Sequence, residues 1–136
     1  MDDTLIQRLF DAARAAREQA HAPYSKFKVG AALLDEQGRI HVGCNVENAA
    51  YPQGACAEGG AISAMVLAGG RSLQAVLVLG AGDALCTPCG GCRPKIREFA
   101  APDTPVLIAG GGPVRAKFTL EQLLPPSFGP EHLGQS

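Results

Sequence analysis

Apolar positions recur at helical spacing through the first twenty residues, where Leu5, Leu9, Ala12, Ala13, Ala16 and Ala20 define one face of the pattern. This predicts an amphipathic helix from Asp3 to Ala20 with Asp2 or Asp3 capping its start. Pro23 breaks it. The segments "FKVGAALL" and "GRIHVGCN" then read as two strands joined through a turn-rich stretch from Asp35 to Gly38, which is a hairpin. Helical patterning returns in "CAEGGAISAMVLAGG" and ends at Gly69 and Gly70, and "LQAVLVLG" is an apolar run of strand length. "PCGGCRPKIREFA" predicts another helix, with Pro88 in the first position where its missing N–H costs nothing. "TPVLIAG" and "VRAKFT" read as strands and "TLEQLL" as a short closing helix. The order αββαβαββα argues for an α/β fold with helices covering both faces of one sheet. With no internal repeat or linker, residues 1–136 are expected to form a single domain.

Composition narrows the partner. Apolar residues make up 46% of the chain and charged residues 18%, the balance of a soluble globular protein, and no apolar run is long enough to cross a membrane. A formal charge of -1 leaves no basic face for nucleic acid or an acidic membrane, so a small molecule is the expected ligand. The acidic, charge-bearing start "MDDTLIQRLF" lacks the form of a signal peptide and points to the cytoplasm.

The cysteines carry the chemistry. In a reducing compartment five of them, with three crowded into "CTPCGGC", favour metal or catalytic roles over disulfides. Cys56 opens one predicted helix, and Cys89 and Cys92 open another. Helix N-termini stabilise thiolates, and thiolate sulfur binds zinc at ~2.3 Å. Three ligands leave a fourth position for water, which separates a catalytic zinc from a structural one. Glu58, two residues past Cys56, is placed to move protons beside such a metal without binding it. Two rivals use the same residues. Cys86, Cys89 and Cys92 form a CxxCxxC that could open an iron–sulfur site in an electron-transfer protein, although no fourth cysteine stands nearby. A four-sulfur structural zinc closed by Cys44 or Cys86 would exclude hydrolysis. Cys44 itself reads as a small buried hydrophobe in a strand and Cys86 as a free thiol near the site. His21, His41 and His132 lack ligand spacing.

Ligand, one residue, glutamate, then Pro-Cys-x-x-Cys is the pattern of the zinc deaminases. Through "APYSKFKVGAALL", "GCNVENAAY", "CAE", "PCGGCR" and "EQLLPPSF", the chain resembles the small homotetrameric cytidine deaminases over nearly its whole length. The resemblance implies a three-layer α/β/α cytidine deaminase-like fold with a mixed central sheet. It also implies one Zn2+ per subunit on Cys56, Cys89 and Cys92, and hydrolysis of cytidine and 2′-deoxycytidine to uridine and 2′-deoxyuridine with release of ammonia. Glu58 would protonate N3 of the cytosine ring and then the departing amine. Asn45 and Glu47 match ribose-binding positions, Phe27 the aromatic that packs on the base, and the Ala57 backbone a contact to the base. Tyr51 and Phe128 match contacts made across subunits, so that active sites are shared in the tetramer. A deaminase of a modified cytosine nucleoside such as blasticidin S is the alternative within the class.

Two departures stand out. The family commonly reads "CAERTA" where this chain has "CAEGGA", so an arginine that offsets the negative thiolate set is replaced by Gly59. Arg93, or an arginine of a neighbouring subunit, is expected to take its place. Gly59 and Gly60 each cost about 1 kcal/mol relative to alanine inside a helix, which calls for close approach of another backbone, for instance across a subunit interface. Pro94, where glutamine is common, is expected to lie past the first turn and bend its helix.

Overall fold

The computed structural model describes residues 1–82, 85–110 and 114–134. Helix α1 spans Asp3–Glu18, and Asp2 caps it by accepting a hydrogen bond from the Leu5 N–H at 2.8 Å. Strands β1 (Gly30–Asp35) and β2 (Ile40–Cys44) form the expected antiparallel hairpin, with Ala32 opposite Val42. Helix α2 covers Ala57–Leu67, and Gly69, at a φ of 96°, turns the chain away in the left-handed conformation that glycine adopts without strain. Strand β3 (Leu73–Leu79), helix α3 (Cys92–Arg97), strands β4 (Pro105–Ala109) and β5 (Val114–Thr119), and the short helix α4 (Leu120–Leu123) complete the order read from the sequence.

The five strands form one sheet in the order β2-β1-β3-β4-β5. Only β3 and β4 run parallel, because the chain between them crosses over through α3, whereas the other pairs are antiparallel. The sheet is therefore mixed. Alternation along its strands separates two cores. Ala32, Leu34, Leu77 and Leu107 pack beneath Leu9 and Ala13 of α1 on one face. Ala31, Leu33, Val76, Val78, Val106 and Ile108 pack on the other face against Ala61 and Met65 of α2, Ile96 of α3 and Leu120 of α4. One helix below and three above make the α/β/α layering.

Two expectations change together. Helix α3 starts at Cys92, four residues later than a Pro88 start requires, because the Cys89 carbonyl accepts the N–H groups of both Cys92 and Arg93 in a tight turn at 3.0 and 3.1 Å. Pro94 thereby falls in the first helical turn, where N–H groups have no partner within the helix, and the bend expected there loses its cause. Strand β2 approaches α2 closely at Gly43, where a Cβ would stand 2.3 Å from the Ala57 carbonyl oxygen. That contact sets the first turn of α2 directly over the sheet.

Candidate active site

Cys56 is the N-cap of α2, with extended backbone, and Cys92 is the first residue of α3, so two helix N-termini converge on one point. Cys89 reaches the same point from the turn ahead of α3. The three Sγ atoms lie within 4.8 Å of one another, and Cys56 and Cys89 are 3.5 Å apart. Tetrahedral zinc with bonds of ~2.3 Å would separate its sulfurs by about 3.8 Å, so the cluster has the size that the ion requires. Among the described residues it brings in neither Cys44 nor Cys86, which leaves three sulfur donors and room for one further ligand. An iron–sulfur grouping of Cys86, Cys89 and Cys92 is not the one the fold assembles.

The thiols do not behave as their helix positions alone predict. Burial pushes Cys56 and Cys92 up, with mutual repulsion and Glu58 adding to the effect, and outweighs the favourable helix ends. Cys89 also suffers desolvation, but hydrogen bonds from Cys92 and Cys56 carry it below the usual thiol range. Loading the metal therefore displaces protons from the cluster.

Glu58 occupies the second position of α2 and is only 4% exposed. Burial raises its pKa, against hydrogen bonds from its own and the Cys89 backbone N–H and against the charge of Lys95. It faces a cavity of about 430 Å³ lined also by Cys56 and Cys89, a volume within the range for small-molecule sites. A cluster of three thiols, a carboxyl whose pKa is raised by burial and a cavity of small-molecule size meet in one place.

Residues 3–108 match the family described as the cytidine and deoxycytidylate deaminase zinc-binding region. The chain belongs to that family. It is 42% identical over 128 residues to the cytidine deaminase of Sporosarcina psychrophila, covering 94% of both chains. It is 39% identical over 121 residues to that of Mycobacterium tuberculosis strain H37Rv, covering 89% of this chain and 87% of the other. The crystal structure of cytidine deaminase from Burkholderia pseudomallei superposes with a TM-score of 0.84 at 41% identity, covering 94% of this chain and all of that one. The deaminase fold expected from the sequence is thereby established.

Within the deaminase cavity, Asn45, Glu47, Tyr51 and Ala57 all contribute to the wall. The strand-like segment that carries the first two is stitched on both sides, by His21 to Asn45 and Glu47 and by Ala55 to Val46. Asn45 Oδ1 accepts from Val29 N–H at 2.8 Å while its amide nitrogen donates to the Phe27 carbonyl at 2.8 Å. Glu47 accepts from the backbones of Tyr24 and Ser25 and from the Ser25 hydroxyl. Both side chains thus brace the loop before β1, with lone pairs of Glu47 and one N–H of Asn45 to spare. Tyr24 and Ser25 also line the cavity, and nothing in the residue types or spacing singled them out.

The two phenylalanines stand apart from that wall. Phe27 is 38% exposed and approaches Gly80, where a Cβ would lie 3.3 Å from its ring and 2.6 Å from Cβ of Cys86, itself a cavity residue. Phe128 is 66% exposed and stacks on His132 at 5.0 Å between ring centroids. Its segment is held by the buried Arg97, which donates to Ser127 Oγ at 2.7 Å and pairs with Glu131.

Arg93 does not fill the vacancy left at Gly59. Its guanidinium donates to the carbonyls of Pro88 and Leu123 and to Thr87 Oγ1, so it buttresses the metal loop from outside. Nor do the paired glycines mark a helix crossing within the chain. Gly60 meets β2 at ordinary contact distance, and Gly59 faces the side chain of Lys95.

Proposed function

We propose that the chain acts in pyrimidine salvage in the cytoplasm, as a homotetramer with shared active sites, and converts cytidine and 2′-deoxycytidine to uridine and 2′-deoxyuridine. Zinc-dependent deamination of cytidine is the activity of the family to which it belongs. The observation that carries the reading is the buried Glu58 carboxyl at the floor of a nucleoside-sized cavity, beside three converging thiols. All 136 residues are taken as one catalytic domain.

Cys56, Cys89 and Cys92 hold the zinc, which when bound supplies a Lewis acid that activates water near neutral pH. Glu58 takes a proton from the attacking water, gives one to N3 of the ring and then carries one to the departing amine. A C4–O bond forms, the C4–N bond breaks, and ammonia leaves with protons in balance. Asn45 and Glu47 offer a donor and an acceptor to the vicinal diol of the sugar, while the Ala57 backbone meets the base. Phe27 packs on the base from beside Cys86, and the exposed ring of Phe128 reaches into a neighbouring subunit's site. Tyr51, which lines this chain's own cavity, is exposed enough to meet a neighbouring subunit as well. Among the described residues no helix is long and apolar enough to cross a membrane.

Incubation of the zinc-loaded protein with cytidine, following ammonia, tests the reading. Release by the native chain and not by Glu58→Gln is expected. Equal release by both would overturn the role of Glu58, and no release from either would overturn cytidine as substrate in favour of a modified cytosine nucleoside.

A further inference from the structure

Three thiolates around one divalent ion leave an excess of negative charge, to which the Glu58 carboxylate adds whenever it is ionised. Neighbouring positive charge is what stabilises such a set in a site partly withdrawn from water. Arg93 is spent on three oxygens of the loop. Lys95 is different. It stands three residues beyond Cys92 on α3, hence on the same side of that helix, and among the described residues it makes no hydrogen bond or ion pair. A Cβ on Gly59 would lie 3.4 Å from Lys95 Nζ and 3.9 Å from its Cδ. The ammonium therefore rests against the first turn of α2, one residue from Glu58. Cys56, Gly59, Pro94 and Lys95 line the same cleft between α2 and α3.

We propose that Lys95 is a positioning residue of the zinc site, its ammonium seated in the space that Gly59 leaves free and offsetting the negative charge of the thiolate set. The proposal rests on Cys56, Cys89 and Cys92 being the zinc ligands. It accounts for a small residue at position 59, where a Cβ would only touch the lysine at ordinary contact distance, whereas a side chain longer than alanine would compete with it for the same space. It also accounts for a lysine that, among the described residues, makes no hydrogen bond or ion pair on its short helix. The attraction between Lys95 and the Glu58 carboxylate agrees with this placement.

Zinc affinity, measured by chelator competition on the intact protein at fixed pH, separates this role from a purely structural one. Lys95→Met is expected to weaken zinc binding about tenfold, the lower end of the range for residues that support metal ligands, and to leave Tm unchanged. Lys95→Arg should keep the native affinity. Gly59→Arg placed in the Lys95→Met background should restore it, because the new cation enters the vacated space, whereas Gly59→Gln in that background adds the bulk alone and should not. Cys56→Ala is the control for the ligand set and should lose the metal. Native zinc affinity in Lys95→Met alongside metal loss in Cys56→Ala overturns the role of Lys95 and leaves the ligand set standing. Full zinc retention in Cys56→Ala overturns the ligand set and this proposal with it.

Discussion

Helix α2 meets a buried carboxyl group at each end, and the two ends treat it in opposite ways. At the start, Glu58 is held mainly by burial, which raises its pKa. At the far end, Asp35 is fully buried beside Gly70 and would be raised as well, but His41 donates to it at 2.8 Å, as do the backbone N–H groups of Arg39 and Gln37 and the Arg39 guanidinium. Those donors hold Asp35 well below the ordinary carboxylate range. Arg39 also reaches across to the Ala68 carbonyl at 2.9 Å and so ties the hairpin turn to the end of α2. Burial sets the cost of a charge, and donors decide whether it is met. The carboxyl proposed to give and take protons is left short of donors. One that fixes a turn is saturated with them.

The largest expected effect would break the site end outright. Cys92 is the fully buried member of the thiol cluster, and Cys92→Ala is expected to abolish zinc retention by elemental analysis and reduce ammonia release to background. A full equivalent of zinc in that variant would remove the metal from the proposed site. Next comes Glu58→Gln, which keeps shape and burial while removing the proposed proton carrier. A fall in kcat of ~10²–10⁴ is expected, with zinc content and Tm preserved. If turnover survived within a few-fold, the contrast between the two carboxyl groups would have no functional meaning.

The hairpin end should show the reverse. Asp35→Asn is expected to lower stability by about 2 kcal/mol, since it weakens several donors at once, and to leave kcat unchanged at temperatures where the protein is folded. The sign with pH follows from the depressed pKa: Asp35 stabilises the fold above the usual carboxylate pKa near 4, and that contribution is lost as pH falls toward the folded value. A thermal-unfolding series should therefore show a steeper acid decline in the native chain than in Asp35→Asn. Parallel curves would mean that the network around Asp35 is not what holds the turn.

How much of this was legible in the sequence differs between the two ends. The two faces of "LQAVLVLG" were not legible, since a run buried on both sides shows no alternation and only the structure separates Leu77 from Val76 and Val78. The strand itself was, because the run is apolar and of strand length. The thiol cluster and Glu58 were too, because that chemistry needs a fixed offset and so leaves a local motif. The start of α3 was not, since "PCGGC" supports either a helix or the turn that the Cys89 carbonyl makes. The saturation of Asp35 depends on strand register, which returns His41 and Arg39 to it across the hairpin, and on burial by α2. The placement of Lys95 over Gly59 depends on how two helices pack. Neither leaves a mark in spacing.

The smallest effects come from the glycine pairs at the two ends of α2, Gly59–Gly60 and Gly69–Gly70, and they sharpen the same contrast. A Cβ on Gly70 would lie 3.0 Å from the Asp35 carboxylate and 2.6 Å from Cγ of Met65, so Gly70→Ala must displace a packed side chain and press on the saturated group. A loss of about 1–2 kcal/mol in denaturant unfolding is expected, within the usual range for overpacking. A Cβ on Gly60 would lie 3.8 Å from the Cys44 carbonyl oxygen, which is ordinary contact, and the residue sits inside the helix. Gly60→Ala should therefore stabilise the fold by up to about 1 kcal/mol through helix propensity alone, with kcat/KM unchanged. Opposite signs from the same substitution would show that the Asp35 end is packed against further change while the Glu58 end retains slack. A loss from Gly60→Ala as large as that from Gly70→Ala would mean that the site end is packed as tightly as the hairpin end, by a neighbour that a single chain does not contain.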